Sequence, residues 1–370
     1  MLCYSSSLAL SLVLLVTLIQ VVPLVYSSRD LIGVPTHGVP EDHLLMMERF
    51  HGWMANHGRS YATTEEKLRR FEIYRSNVEF IEAANQDGRL TYTLGENQFS
   101  DLTHEEFLST YTSHGVAPSE LESEMLITTR AGDVNQVSCP SESIDVPPHV
   151  NWTEKGKVTE VKDQYQCGSC WAFSAVATIE SAYAIKKRIA PPVLSEQQLI
   201  DCDKNEDQRG CKSGYTQKAY VWVAGNGITS NSAYPYHGND NGKCQKGKPK
   251  VATISNYRYA GDLCEKDIMA AVYDRPVAVQ FSADECFKAY KTGVYNGMCV
   301  KHGVYSGPCP SGPRDHSLTI VGYDDVEKYW IAKNSWGTGW GNKGYVLLKK
   351  DVANREGLCG LAIKPVYPIV

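Results

Sequence analysis

The chain has 370 residues, with 37 Lys and Arg against 42 Asp and Glu, a net charge of -5, and 42% hydrophobic residues. That near-neutral balance gives no electrostatic reason to expect a nucleic-acid partner, and the apolar content allows a sizeable core. Twelve cysteines are too many for a typical cytosolic enzyme and too few for a small disulfide scaffold, so several bridges on a normal core in an oxidising compartment are expected.

Leu8 to Val22 is a nearly unbroken apolar run, too short for a comfortable membrane span, and small residues follow at Ser27 and Ser28. Residues 1–28 therefore read as a secretory signal peptide, although Met1 to Ser7 carries no Lys or Arg. No later stretch could span a bilayer. Arg29 to Pro40 is loose and rich in Gly and Pro. From Glu41 to about Tyr111 the pattern is charged and helical, with Leu68, Phe71, Val78 and Ile81 recurring at three- and four-residue steps. Gly115 to about Val146 has little periodicity and reads as an exposed linker, where proteolysis concentrates.

From about Val146 the composition shifts to Gly, Cys and aromatics. Trp171 to about Lys187 predicts a long buried helix, stopped before Pro191 and Pro192. Ser195 with Gln198 is a capping box that opens a second helix, Glu196 to Cys202. After Tyr257 the pattern turns to strands: Pro276 to Phe281, His316 to Tyr323, Lys328 to Ala332 and Gly344 to Lys349. A helical lobe followed by an antiparallel β-barrel or sandwich makes the fold class α+β. Gly293 to Cys299 (GVYNGMC) is echoed by Gly303 to Cys309 (GVYSGPC), a local duplication.

Gln164-Tyr-Gln-Cys167-Gly-Ser-Cys170-Trp171 concentrates the chemistry. Two cysteines at this spacing fit a redox couple, a zinc half-site, or a nucleophile beside a structural cysteine. Zinc needs a second close pair of ligands and a thioredoxin-like couple needs a βαβ frame; neither is present. Cys170 opens the strong helix, where the dipole favours an anion by roughly 0.3–1 kcal/mol and up to about 2. That lowers a thiol pKa by only about one unit, so a cationic partner is needed as well. His316 opens an apolar strand, and Asn334 follows the next strand, placed to hold the imidazole.

The segment Gln164 to Val176 resembles the active-site segment of the papain family of cysteine proteases. Asp315 to Tyr323 and Asn334 to Gly341 (NSWGTGWG) resemble that family's histidine and asparagine segments, in the same order. His316 lies 146 residues after Cys170, inside the family window of about 130–150, and Asn334 lies 164 after it. The likeness runs from about residue 41 to the C-terminus. It implies a papain-like two-lobe fold behind a helical inhibitory propeptide: 1–28 signal peptide, 29–145 propeptide with an inhibitory module over about 41–113, and 146–370 protease domain.

The same resemblance implies the roles. Cys170 is the thiolate nucleophile paired with protonated His316, Asn334 orients the ring, Trp336 shields that bond, and Gln164 joins the Cys170 amide in an oxyanion hole. Glu66, Arg70, Tyr74, Asn77, Ile81 and Asn85, then Gly95, Asn97, Phe99 and Asp101, follow the family's two propeptide motifs, with Tyr74 where phenylalanine is usual. The propeptide tail is expected to run backwards through the cleft. Implied disulfides are Cys167–Cys211, Cys202–Cys244 and Cys309–Cys359, with Cys299 as a rival for Cys309. Cys264 and Cys286 have no assigned partner, and Cys139 is expected to leave with the propeptide. The resemblance assigns substrate contacts to Gly214, Tyr215, Gln280, Asp315, Trp336 and Lys364. It places the second-subsite wall at Tyr215, Thr216, Gln280, Arg314, Asp315, Ser317 and Lys364, where Gln280, Arg314 and Lys364 are more polar and basic than the family's usual lining; Ser213 replaces a common glycine beside Gly214. Asn151-Trp-Thr153 is the one acceptable N-glycosylation sequon.

The expected protein is a secreted or vacuolar (lysosome-like) cysteine endopeptidase made as a zymogen. It acts on protein and peptide substrates through an acyl-enzyme thioester, as a monomer without cofactor, metal, membrane or nucleic-acid partner. Its own propeptide and cystatin-type inhibitors are the expected binders. A binding or storage homologue and a peptide ligase on the same scaffold stay open as rivals.

Overall fold

The computed structural model describes residues 41–113, 139, 145–301, 304–306, 309 and 314–370. The expected signal peptide and most of the expected linker lie outside the described residues. The chain divides into two compact units, 1–56 and 57–370. In the first, helix α1 (Glu41–Asn56) starts with Glu41 and Asp42, acidic residues that suit the positive end of a helix dipole. Its buried side chains are Met47, Phe50 and Trp53, and the Phe50 and Trp53 rings stack at 5.9 Å.

The second unit opens with α2 (Thr64–Asn85), capped by the Thr63 hydroxyl, which accepts from the Glu66 N–H. Phe71, Val78 and Ile81 lie on its buried face as the spacing predicts, with Tyr74 beside them, but Leu68, expected on the same face, is exposed because it stands a turn before the point where the helix meets the rest of the module. Strand β1 (Tyr92–Leu94) and helix α3 (His104–Tyr111) follow, α3 opening on a complete capping box between Thr103 and Glu106. Arg70 binds this module together, pairing with Glu66 at 2.7 Å and with Glu106 at 2.7 Å.

The helical lobe is built on α4 (Cys170–Lys187), with α5 (Glu196–Cys202) and α6 (Thr216–Asn226). Helix α4 is apolar nearly all round, as a helix enclosed on every side must be. Trp171, Ala175, Val176 and Ile179 pack with Leu199, Ile200, Tyr220 and Val223. Lys186 and Lys187 in its last turn suit the negative end of the dipole.

The β lobe is a sheet ordered β1-β5-β10-β9-β8-β4-β11-β3, with β2 also paired to β8. Its strands are β2 (His149–Asn151), β3 (Asn256–Tyr259), β4 (Val277–Phe281), β5 (Tyr290–Tyr295), β8 (His316–Asp324), β9 (Tyr329–Lys333), β10 (Tyr345–Lys349) and β11 (Val366–Ile369). All pairings are antiparallel except β10 with β5. Helices α7 (Glu265–Asp274) and α8 (Glu285–Lys288) flank β4, and the duplicated segment supplies the end of β5 and a hairpin of β6 (Cys299–Lys301) with β7 (Val304–Ser306). The β1–β5 pairing brings the propeptide module onto the edge of this sheet.

Among the described residues Cys170 is the only free cysteine. The structure pairs Cys167 with Cys211, Cys202 with Cys244, and Cys309 with Cys359. Cys299, the expected rival for Cys309, bonds instead to Cys286, 13 residues away, because β5 and its turn fold the duplicated segment back over α8. Cys139, expected to leave with the propeptide, is bonded to Cys264, one of the two cysteines without an assigned partner, 125 positions further on.

Candidate active site

Cys170 sits at the first position of α4, with no side-chain cap ahead of it, so its sulfur stands at the positive end of the helix dipole. The Ser317 amide and Ser113 contact that sulfur, the Ser113 hydroxyl at 3.6 Å. Ser317 is the second residue of β8 and His316 the first, so the helix start and the strand start meet here across the two lobes. Ser174, one turn into α4, donates to the Leu318 carbonyl at 2.9 Å and fixes that approach.

His316 is 1% exposed and its Nε2 bonds Asn334 Oδ1 at 2.8 Å, which places the ring proton on Nε2 and leaves Nδ1 without a partner. Asn334 follows β9, and its Oδ1 also accepts from the Ser335 N–H at 2.8 Å. Trp336 stacks on His316 with ring centroids 4.3 Å apart, walling off that hydrogen bond. The predicted Cys, His and Asn thus converge on one seam.

Gln164 is fully buried. Its Nε2 donates to the Tyr111 carbonyl at 2.9 Å and to the Cys167 carbonyl at 2.7 Å, while its Oε1 accepts from the Ser335 hydroxyl at 2.5 Å. Sequence reading missed Ser335, and no local signal marks it: the Gln164 contact spans 171 positions.

The propeptide covers this arrangement. Phe99 and Phe107 meet the Trp336 ring edge-on at 5.5 and 5.1 Å, Gln98 donates to the Trp336 carbonyl at 2.6 Å, and Ser113 N–H donates to the Asp315 carbonyl at 2.8 Å. The motif residues do distinct work. Asn77 donates to the Ser100 and Leu102 carbonyls, Asn85 exchanges bonds with the Leu94 backbone, Asn97 donates to the Lys288 carbonyl, Asp101 accepts from the Tyr61 hydroxyl, and Tyr74 bonds Glu96. Ile81 lies in the core. A Cβ on Gly95 would sit 2.7 Å from Lys291 Cδ, so a larger residue there would have to push that lysine side chain aside.

Burial decides the charge states. It pushes the Cys170 thiol up, with the Asp315 carboxyl adding to the rise and Ser113 opposing it. Burial also holds His316 down to about 4, against the Asn334 bond that favours the imidazolium. Burial thus disfavours a charged thiolate and a charged imidazolium alike, and it opposes the ion pair expected from the sequence while the cover is in place. Asp315 is raised to about 7 by burial, with the Ala283 N–H opposing.

The second-subsite residues gather only in part. Gln280 pairs with Ser317 across β4 and β8, and Arg314 Nε reaches Gln280 Oε1 at 3.4 Å. Tyr215 precedes α6, and Thr216 bonds the Trp171 carbonyl at 3.2 Å. A Cβ on Gly214 would come 2.4 Å from the Trp171 ring, which explains glycine there; Ser213 is buried and accepts from Arg209. Lys364 is held by its backbone N–H to Asp262 Oδ1 at 3.1 Å. Away from the cleft, Asn151 is half-buried in β2, with its amide on Glu154 and its Oδ1 accepting from the Thr153 N–H.

A family model described as papain family cysteine protease matches residues 146–369, and one described as cathepsin propeptide inhibitor domain matches residues 50–107. Ananain of Ananas comosus is 40% identical over 329 residues, covering 87% of this chain and 88% of that protein. Among solved structures, the recombinant stem bromelain precursor superposes with a TM-score of 0.71 at 37% identity, covering 88% of this chain and 99% of that one. The proform of Amb a 11, a ragweed pollen cysteine protease, gives 0.73 at 32% identity, covering 90% and 98%.

Proposed function

Because the chain belongs to the papain family of cysteine proteases and carries that family's inhibitor propeptide, we propose that it is an endopeptidase zymogen whose nucleophile is Cys170. The observation that carries this reading is the meeting of a free sulfur at a helix start with a buried His316–Asn334 pair, under a propeptide carbonyl held by Gln164. Once Tyr111 to Ser113 leave, water lowers the desolvation of both groups, and the thiol proton passes to His316 Nδ1. The thiolate attacks the peptide carbonyl carbon, and the oxyanion takes the Gln164 N–H that Tyr111 occupied. The C–N bond then breaks, with the His316 proton going to the leaving amine, and water hydrolyses the thioester. Asn334 keeps the ring oriented throughout.

In this reading the protein enters the secretory pathway, for the vacuole or the extracellular space, with its propeptide ending between the two matched domains. Gln280 and Arg314 make the second subsite tolerant of polar and acidic side chains. Titration with a thiol-directed epoxide tests the core of the proposal. The acid-activated protein is expected to take up one equivalent and lose hydrolysis in step, and the intact precursor at neutral pH to react far more slowly. Peptide hydrolysis that survives in Cys170→Ala ends the proposal.

A further inference from the structure

The bridge between Cys139 and Cys264 joins a residue ahead of the protease domain to its interior. Cys264 caps the N-terminus of α7 and is 2% exposed. The chain downstream of Cys139 is knitted onto the same body: Val146 packs on the β-lobe core, the Tyr323 hydroxyl donates to the Pro147 carbonyl at 2.9 Å, and the Asp325 N–H donates to the Pro148 carbonyl at 2.7 Å. Only six residues lie between Cys139 and Val146, no more than about 25 Å of extended chain from one to the other. Sulfur bookkeeping agrees. Ten cysteines close five bridges and Cys170 stays free, so losing Cys139 would leave a second, buried thiol at 264 in a protein built to have one reactive sulfur.

We propose that maturation does not remove Cys139, and that the matured enzyme keeps a peptide containing it, bonded to Cys264. This takes from the zymogen reading only the existence of a maturation cut. Hydrolysis of a peptide bond consumes one water and leaves the sulfur–sulfur bond untouched. A cut before Cys139 makes that residue part of the new N-terminal arm and frees the helical module; a cut after it leaves two chains joined by sulfur, and the helical module then departs only after a second cut upstream of Cys139. In both cases the part that finally leaves ends earlier than residue 139.

The test uses the full precursor carrying Cys170→Ala, so that it does not depend on the protein's own activity. Free thiols are alkylated, and the unreduced protein is denatured and digested with trypsin. The expected product is the peptide 131–155 cross-linked to 259–266, separating on reduction. A second sample is cut, still folded, with a Glu-specific endopeptidase that cleaves after Glu124 and Glu142. Fragment 125–142 is expected to stay on the body until reductant is added, and to leave without reductant in Cys264→Ser. Finally, the unreduced mass of the acid-matured wild-type enzyme is expected to include residue 139. Alkylated Cys264 in the tryptic map, or a matured mass that lacks Cys139 before reduction, overturns the proposal. A bridged map from a protein that never matures itself would count against the zymogen reading alone.

Discussion

Replacing Gln164 with Ala in the matured enzyme separates two uses of one amide. In the precursor its Nε2 meets the neutral Tyr111 carbonyl at 2.9 Å, the place that the proposed reaction gives to the substrate oxyanion. A hydrogen bond to a neutral carbonyl contributes about 0.5–1.5 kcal/mol net, so inhibition by the added segment 41–113 is expected to weaken only about 2- to 13-fold. The same donor facing a developing oxyanion in a dry site is worth about 2.7–4 kcal/mol, so kcat on a peptide amide is expected to fall about 10²–10³-fold. Alkylation of Cys170 by iodoacetamide forms no oxyanion and is expected to stay within about threefold of wild type. The loss of an acceptor for the buried Ser335 hydroxyl costs on the order of 1–3 kcal/mol of stability, which a thermal melt reads independently. If hydrolysis and alkylation fall together, Gln164 merely props the loop and the oxyanion assignment is wrong.

Two further predictions concern charge. Asp284 is raised to about 6 by burial, with the Tyr295 hydroxyl pulling the other way. A carboxyl that protonates more readily folded than unfolded contributes its full stability below the ordinary carboxylate range and loses it as pH climbs from about 4 through 6. The precursor should therefore melt higher at pH 5 than at pH 7.5. Asp284→Asn keeps a side chain able to cap the Phe287 N–H and should remove about 1.4 kcal/mol of that difference, one unit between pH 5 and a pKa of about 6, with Asp315 supplying the remainder. A melting-temperature difference as large in the variant as in wild type would refute this. Arg314 is half-buried beside Gln280, and the Asp262 and Glu356 carboxylates partly offset its charge. Arg314→Ala should lower kcat/KM for substrates with Glu at the second subsite by about 5- to 30-fold, the equivalent of 1–2 kcal/mol. Leu there should stay within about twofold; equal losses for both would show that Arg314 does not read charge.

Much of the site was legible because its chemistry is local in sequence. The Cys170 helix, the strands that open at His316 and end at Lys333, and the Ser195 cap are all set by short-range periodicity and capping, and the structure places them within a residue or two. Helix α6 was not read, since it follows a Gly- and Tyr-containing turn and lacks a side-chain cap. The bridges Cys139–Cys264 and Cys286–Cys299 were beyond reach, because nothing in cysteine spacing says which loops fold back on one another. Covering was the other blind spot. A helix start and a nearby imidazole favour a thiolate, but burial pushes the same thiol up, and part of the cover, Ser113 on the sulfur and Tyr111 on Gln164, comes from a segment more than fifty positions upstream.

Behind Asn334 lies a knot of opposite charges. Lys162 bonds Glu180 at 2.8 Å and Glu196 at 2.6 Å, and Lys333, immediately before Asn334, donates to the Thr159 carbonyl at 2.8 Å. The Thr159 hydroxyl in turn donates to Glu180 at 2.5 Å, so a chain of buried polar contacts runs from the sheet at Lys333 to the helical lobe at Glu180 and Glu196. Parting the halves here would separate buried ions and their partners, a penalty of several kcal/mol. The joint behind Asn334 therefore resists slippage just where the ring-orienting amide is mounted.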